Sequence, residues 1–259
     1  MSLVNTKIKE EFEADGYVAM YSFFEDNKIQ EIKNEIDRYI NDIVPTLPNH
    51  HVFYEDKSDK TTIKNLQQMF TYDNYFKKLI EESIAHYGRV DVLVNNAGIT
   101  DAVHPAEEAN IDLFRKVVDV NLNSCFLLSA LAAQDMLTRQ EGSIINVASV
   151  HGLVASAPNL QPAYAASKAG LVNLTRELAV QWAKRGIRVN VLCPGYFETE
   201  LTQVMFDDEK SSSWIARNAS MGRGGTPEEL DGALLFLASG ASSYVTGVPL
   251  PVDGGWIAR

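Results

Sequence analysis

Tyr164 and Lys168 frame the segment Tyr164-Ala-Ala-Ser-Lys168, a spacing that puts a phenol and an ammonium one helical turn apart on one face. A cation near a phenol favours the phenolate, drawing a pKa of about 10 toward the range where tyrosine exchanges protons near neutrality. Such a pair suits proton transfer to or from an oxygen. Ser149 follows the strand-like run Ser143-Ile-Ile-Asn-Val147 and so falls at the edge of a parallel sheet where ligands gather. Its hydroxyl can bond a substrate oxygen there. Asn121 lies in a helical stretch among Val118, Val120 and Leu122, where an amide needs partners. Asn95-Asn-Ala-Gly98 and Pro194-Gly195 end two further strand-like runs. Each feature alone reads as a satisfied core amide or a strand-ending turn; together they call for a chemical reading.

The elements that must hold these residues follow from periodicity. Val90-Asp-Val-Leu-Val94, Ser143-Ile-Ile-Asn-Val147 and Ile187-Arg-Val-Asn-Val-Leu192 are short, β-branched and nearly continuous in apolar character, as strands buried on both faces are. Helical stretches at 111–137 and 163–185 supply the crossovers that parallel strands require. Thr226-Pro-Glu-Glu229 opens a further helix with an N-cap, a first-turn proline and a capping-box glutamate. A last strand spans about 248–252. The fold class expected is α/β, a partial Rossmann-like parallel sheet.

Residues 1–82 have a different character. They hold 9 Lys and 1 Arg, against 4 Lys and 9 Arg in 83–259, and only Gly16 of the 16 glycines. This shift predicts a fusion, with a foreign α+β segment at 1–82 and the catalytic part at 83–259. Within the first segment the pattern predicts a helix to Ala14 and a strand at Tyr17–Phe24. A helix carrying Ile29, Ile32, Ile36, Tyr39, Ile40 and Ile43 follows, then a strand at His51–Tyr54 and helices at Thr62–Phe70 and Asp73–Tyr87.

The net charge of -11 opposes nucleic acid and anionic membrane as partners. The sequence shows neither an apolar signal core at its start nor a run of about 18 apolar residues. Cys125 and Cys193 make no disulfide framework, which suits a reducing cytoplasm.

From about residue 84 onward the chain resembles the short-chain dehydrogenases/reductases. Asn95-Asn-Ala-Gly98 is similar to their fourth-strand signature, and Asn121, Ser149, Tyr164 and Lys168 fall in the order of their catalytic tetrad. The resemblance implies Tyr164 as acid/base, Ser149 as substrate-orienting group, Lys168 lowering the phenol pKa and holding ribose, and Asn121 supporting a water relay. It implies NAD or NADP as cofactor and a small alcohol or carbonyl substrate. Asn95, Ala97, Gly98, Tyr164, Lys168, Pro194, Gly195 and Thr199 would line the cofactor. It also implies a homo-oligomer through the 111–137 and 163–185 helices, whose outer faces are read as Ala130, Ala133, Ala169, Leu171, Leu174 and Leu178.

Family members begin with a glycine-rich turn that lets a helix N-terminus approach the pyrophosphate. No such turn occurs here, and Glu25 and Asp26 would put carboxylates at the corresponding place. Weak NAD(P) affinity is therefore expected. Residues 1–82 instead resemble the N-terminal part of phytanoyl-CoA dioxygenase-like oxygenases, through Phe12-Glu-Ala-Asp-Gly-Tyr-Val18 and His51-Val-Phe-Tyr-Glu-Asp-Lys57. The His-x-Asp of that family's iron site is absent from the sequence, so no metal is expected. Three functions are open: an NAD(P)-dependent oxidoreductase, a recombined protein serving as an oligomeric scaffold, and cofactor-independent acid/base chemistry by Ser149 and Tyr164.

Overall fold

The computed structural model describes residues 88–258 except 102, 157, 200 and 201, together with residues 30, 31, 34, 38, 41 and 42 and two earlier strands. The chain divides into two compact units, Met1–Lys78 and Leu79–Arg259.

In the first unit, β1 (Val52–Tyr54) pairs antiparallel with β2 (Ile63–Leu66), with Val52 opposite Leu66 and Phe53 opposite Asn65. β1 lies where the sequence places a strand. β2 replaces the start of the helix expected at Thr62–Phe70: Ile63-Lys-Asn-Leu66 has too few residues to define a period, and strand pairing decides its form. Residues 30, 31, 34 and 38 are helical, within the helix expected there. The expected elements at 1–14, 17–24 and 73–87, with Glu25 and Asp26, lie outside the described residues.

The second unit is built on a four-stranded parallel sheet in the order β3 (Val92–Asn95), β4 (Gly142–Val147), β5 (Ile187–Pro194), β6 (Pro249–Val252). All three strand pairs are parallel, with Asn95 beside Asn146 and Cys193 beside Pro251. Helix α1 (Ile111–Val118) starts on Asn110, whose side chain accepts from the Asp112 and Leu113 N–H groups. A π-helical turn, Asp119–Asn123, joins it to α2 (Ser124–Arg139). Helix α3 (Pro162–Trp182) follows β4 and ends through a 3₁₀ turn at Gly186. There φ is +84°, and an added Cβ would strike the Gln140 carbonyl. Only glycine fits.

Both faces of the central strands are buried. Ile144 and Val189 pack with Ala132, Met136, Leu178 and Trp182 on the α2/α3 side, while Ile145 and Leu192 pack with Leu237 of α6 (Asp231–Ala238) on the other. β3 departs from the two-sided burial expected of its apolar run, because Leu93 packs into the core while Val92 and Val94 are 38% and 40% exposed. The continuous helical stretch Ile111–Arg139 is long and apolar enough by composition to cross a membrane. Here it serves as a core helix, burying Val117, Cys125, Ala132, Ala133 and Met136. The expected helix at Thr226 begins as a 3₁₀ turn, Pro227–Leu230, with Glu229 accepting from the Thr226 N–H at 2.9 Å. Two short helices that the sequence pattern did not signal, α4 (Gln203–Asp207) and α5 (Glu209–Asn218), fill the 198–220 region.

Candidate active site

The carboxyl ends of β3, β4 and β5 deliver Asn95-Asn-Ala-Gly98, Ser149 and Pro194-Gly195 to one edge, and α3 brings Tyr164 and Lys168 across it. What fixes α3 is Asp101, which sequence reasoning missed. The N-cap residue Gln161 makes no side-chain cap, and the carboxylate of Asp101 accepts instead from the N–H groups of Ala163 and Tyr164, both at 3.0 Å. The negative charge meets the helix N-terminus directly and sets the turn that carries the phenol.

Ser149 extends from β4 and caps a short 3₁₀ turn by accepting from the His151 N–H at 3.1 Å. Burial pushes the Tyr164 phenol above its ordinary value, and the influence of the Ser149 hydroxyl opposes that shift. Lys168 stands over the Tyr164 ring, 5.6 Å from its centroid, and donates to the Val147 carbonyl at 2.8 Å. Its own pKa falls because burial disfavours the ammonium. The expectation that Lys168 holds the phenol down is corrected here: the net shift is upward, and Ser149 supplies the downward pull.

Asn121 is fully buried on the π-turn. Its Oδ1 accepts from the Ile99 N–H and its Nδ2 donates to the Ile99 carbonyl, each at 2.9 Å, with a further bond to Ser167 at 3.0 Å. It thereby ties the Asn-Asn-Ala-Gly turn to both helices. Gly98 meets this cluster closely, since an added Cβ would lie 3.2 Å from Lys168 Nζ and 3.3 Å from Asn121 Oδ1. Gly98, Asn121, Ser149, Tyr164 and Lys168 are therefore brought together.

The remaining predicted residues divide by role. Asn95 turns inward: its Nδ2 donates to Asn146 at 2.8 Å and to Ser129 at 3.0 Å, and Asn146 continues to Thr175 at 2.8 Å. This side chain ties sheet to helices, and Asn96, Ala97 and Gly98 are the exposed part of the turn. Pro194 pairs with Val252, and Gly195 passes so near Asp253 that a Cβ would lie 2.8 Å from its Cα. Thr199 is exposed and bonds Thr202, its hydroxyl and N–H each 3.0 Å from the Thr202 hydroxyl.

The ribose and nicotinamide end of a dinucleotide fits these residues: Gly98 keeps the space beside Lys168 open, and Lys168 spends one of its three donors on Val147. For the pyrophosphate, no glycine-rich strand-to-helix turn occurs among the described residues. Both cysteines are free and buried, and burial raises Cys193 to about 11, so neither supplies a thiolate at neutral pH.

The profile described as Enoyl-(Acyl carrier protein) reductase, one of the short-chain dehydrogenase/reductase profiles, matches residues 61–257. The chain belongs to the short-chain dehydrogenase/reductase family. Its similarity includes 2-dehydro-3-deoxy-D-gluconate 5-dehydrogenase of Pseudoalteromonas atlantica, 41% identical over 79% of this chain and 80% of that one. Galactitol 2-dehydrogenase (L-tagatose-forming) of Cereibacter sphaeroides is 44% identical over 64% of this chain and 65% of that one. Among solved structures, gluconate 5-dehydrogenase from Burkholderia cenocepacia, in complex with NADP and tartrate, aligns with a TM-score of 0.67 at 39% identity, covering 71% of each chain. The family match begins at residue 61, upstream of the join expected after Glu82.

Proposed function

We propose that this short-chain dehydrogenase/reductase is an NAD(P)-dependent oxidoreductase of a polyol or sugar acid, interconverting a secondary alcohol and a ketone. The supporting observation is the convergence of Ser149, Tyr164, Lys168 and Asn121 at the carboxyl edge of the sheet. The substrate class follows the names of the relatives. A nicotinamide dinucleotide, when bound, supplies or accepts the hydride. Lys168 and Tyr164 would hold its ribose, and Gly98 with the Pro194-to-Thr199 segment would lie against its nicotinamide. Ser149 orients the substrate oxygen, and Tyr164 gives or takes the proton on it.

In this reading dinucleotide affinity is low, because the chain contains no glycine between Gly16 and Gly88 to form a pyrophosphate turn. Residues 1–60, upstream of the family match, are proposed as a foreign, oxygenase-like segment without a metal site. A reducing cytoplasm suits the two free thiols. The second reading, a recombined protein retaining the fold as an oligomeric scaffold, is favoured by that same missing turn. Assay of D-gluconate and galactitol oxidation with saturating NAD⁺ or NADP⁺ separates the two. Turnover lost in Tyr164→Phe supports the oxidoreductase; no turnover of either compound at millimolar cofactor supports the scaffold.

A further inference from the structure

Three buried side chains and a short stretch of backbone close a ring around the main chain of Tyr164. Its N–H donates to Asp101 Oδ1 at 3.0 Å, and its carbonyl accepts from the Ser167 hydroxyl at 2.8 Å. Ser167 accepts in turn from Asn121 Nδ2 at 3.0 Å, and Asn121 grips both backbone groups of Ile99, two residues before Asp101. The ring therefore runs from Tyr164 through Asp101, Ile99, Asn121 and Ser167 back to Tyr164. Asn121, Ser167 and Asp101 are all buried.

The direction of every bond in it is settled by donor and acceptor types. The Ile99 N–H can only donate and its carbonyl can only accept, so the Asn121 amide has one orientation, with Oδ1 on the N–H and Nδ2 on the carbonyl. The second Nδ2 proton goes to the Ser167 oxygen, which must receive it. The single Ser167 proton is then committed to the Tyr164 carbonyl. A serine that bonds the carbonyl three residues back is ordinary in a helix. Ser167 differs because the same oxygen takes a donor from the π-turn, outside its own helix. Without that hydroxyl a buried Asn121 N–H proton loses its acceptor, and the Tyr164 carbonyl loses its tie to Asn121. Ile99 directly follows Gly98, so the ring also fixes the Gly98 turn relative to the residue that carries the phenol.

We infer that Ser167 is a positioning residue of this site, holding Tyr164 by its carbonyl and Asn121 by its amide so that the phenol and the Gly98 turn stay in register. It acts through these two neighbours and needs no contact with substrate or cofactor. The effect on rate rests on the oxidoreductase reading; the effect on Tyr164 itself rests on the hydrogen-bond ring alone.

The test uses the full chain with Ser167→Ala, Asp101→Ala and both together. Turnover of galactitol and D-gluconate is measured at millimolar NAD⁺ or NADP⁺, and the surroundings of Tyr164 are read from its ring-¹³C tyrosine resonance, assigned with Tyr164→Phe. The expected result is that Ser167→Ala lowers kcat about tenfold, leaves KM within about twofold and moves the Tyr164 resonance. In the double variant kcat should fall by less than the product of the two single losses, because both substitutions act on one stretch of backbone. Far-ultraviolet circular dichroism and Tm establish folding. If Ser167→Ala is misfolded, Ser167→Cys, with its weak donor, carries the same comparison. In a folded variant, an unchanged kcat, a KM that rises as much as kcat falls, or losses that simply multiply in the double variant overturns the inference. If the unaltered chain turns over neither compound, the oxidoreductase reading fails and the resonance decides: a shift in the Ser167 variant keeps the positioning role, and an unmoved resonance overturns it as well.

Discussion

Burial governs the proton chemistry of Tyr164 in this protein. The phenol is shifted upward by its surroundings and is therefore protonated at neutral pH, the form that donates to a carbonyl oxygen during reduction. Oxidation of an alcohol needs the phenolate, so its kcat should rise with pH through the alkaline range, toward and past the ordinary tyrosine value of about 10. Reduction should stay flat from neutrality until the same phenol ionises. Profiles of kcat in both directions check this, and an oxidation rate that levels off near pH 7 would contradict it. Removing the proton altogether with Tyr164→Phe should cost at least about a hundredfold in turnover, the scale of general acid/base catalysis. A loss of only a few-fold would mean that another group carries the proton. Asp101 offers a separate test one step back from the chemistry. With its carboxylate accepting from two N–H groups at the start of α3, Asp101→Ala should lower stability by about 0.5–2 kcal/mol in urea unfolding. It should also lower kcat, because Tyr164 is the residue whose backbone it holds. Stability and kcat both at the level of the unaltered protein would show that the helix start is fixed some other way.

The sheet and its crossover helices form because elements that look ordinary alone are locked by buried amides. Asn95, Asn146 and Thr175 make a polar chain from β3 through β4 to α3, with Thr175 returning its proton to the Leu171 carbonyl. Asn146→Leu would leave Asn95 Nδ2 with one partner fewer and strip the Thr175 hydroxyl of its donor inside the core. The expected cost is at least about 2 kcal/mol, seen as a lower urea midpoint with unchanged slope; a loss below about 0.5 kcal/mol would make the chain incidental. Such links also explain what the sequence hid. The strands β4 and β5 and the helix α3 were legible, because β-branched runs and long apolar stripes announce themselves locally. Ser149, Tyr164 and Lys168 were legible as chemistry by residue type and spacing. Asp101 was not, since its partners lie 62 and 63 residues away and an aspartate after a turn carries no local sign of capping a remote helix. The direction of the Tyr164 shift depends on burial, which spacing along a helix does not report. α4 and α5 are short and lack an extended stripe, and β2 is a strand only because β1 pairs with it.

At the scale of the whole molecule, two expectations can be tested, one on the exposed apolar surface of α2 and α3 and one on the glycine content before Gly88. Half of the face assigned to an oligomer belongs instead to the protomer's own core, with Ala133, Leu171 and Leu178 at most 3% exposed. Ala169 does face outward on α3, and Phe126 and Val180 add exposed apolar surface on α2 and α3. A homo-oligomer through these helices is still expected, with light scattering at micromolar concentration as its check and a clean monomer as the contrary result. Affinity for the dinucleotide is the sharper test, because it sets the family's ordinary chemistry against the content of this particular chain. The reactive end has Gly98, Lys168 and Tyr164 in place. The sequence from residue 61, where the family match begins, to Gly88 contains no glycine to let backbone N–H groups close on a phosphate. Each charge-assisted bond lost there is worth roughly 1.5–3 kcal/mol, so losing two or three weakens binding by about a thousandfold or more. Titration with NADH and NADPH, followed by quenching of Trp214 and Trp256, should therefore give dissociation constants in the millimolar range. Micromolar binding would show that residues upstream of Gly88 build a phosphate site without glycine, and the scaffold reading would lose the observation that favours it.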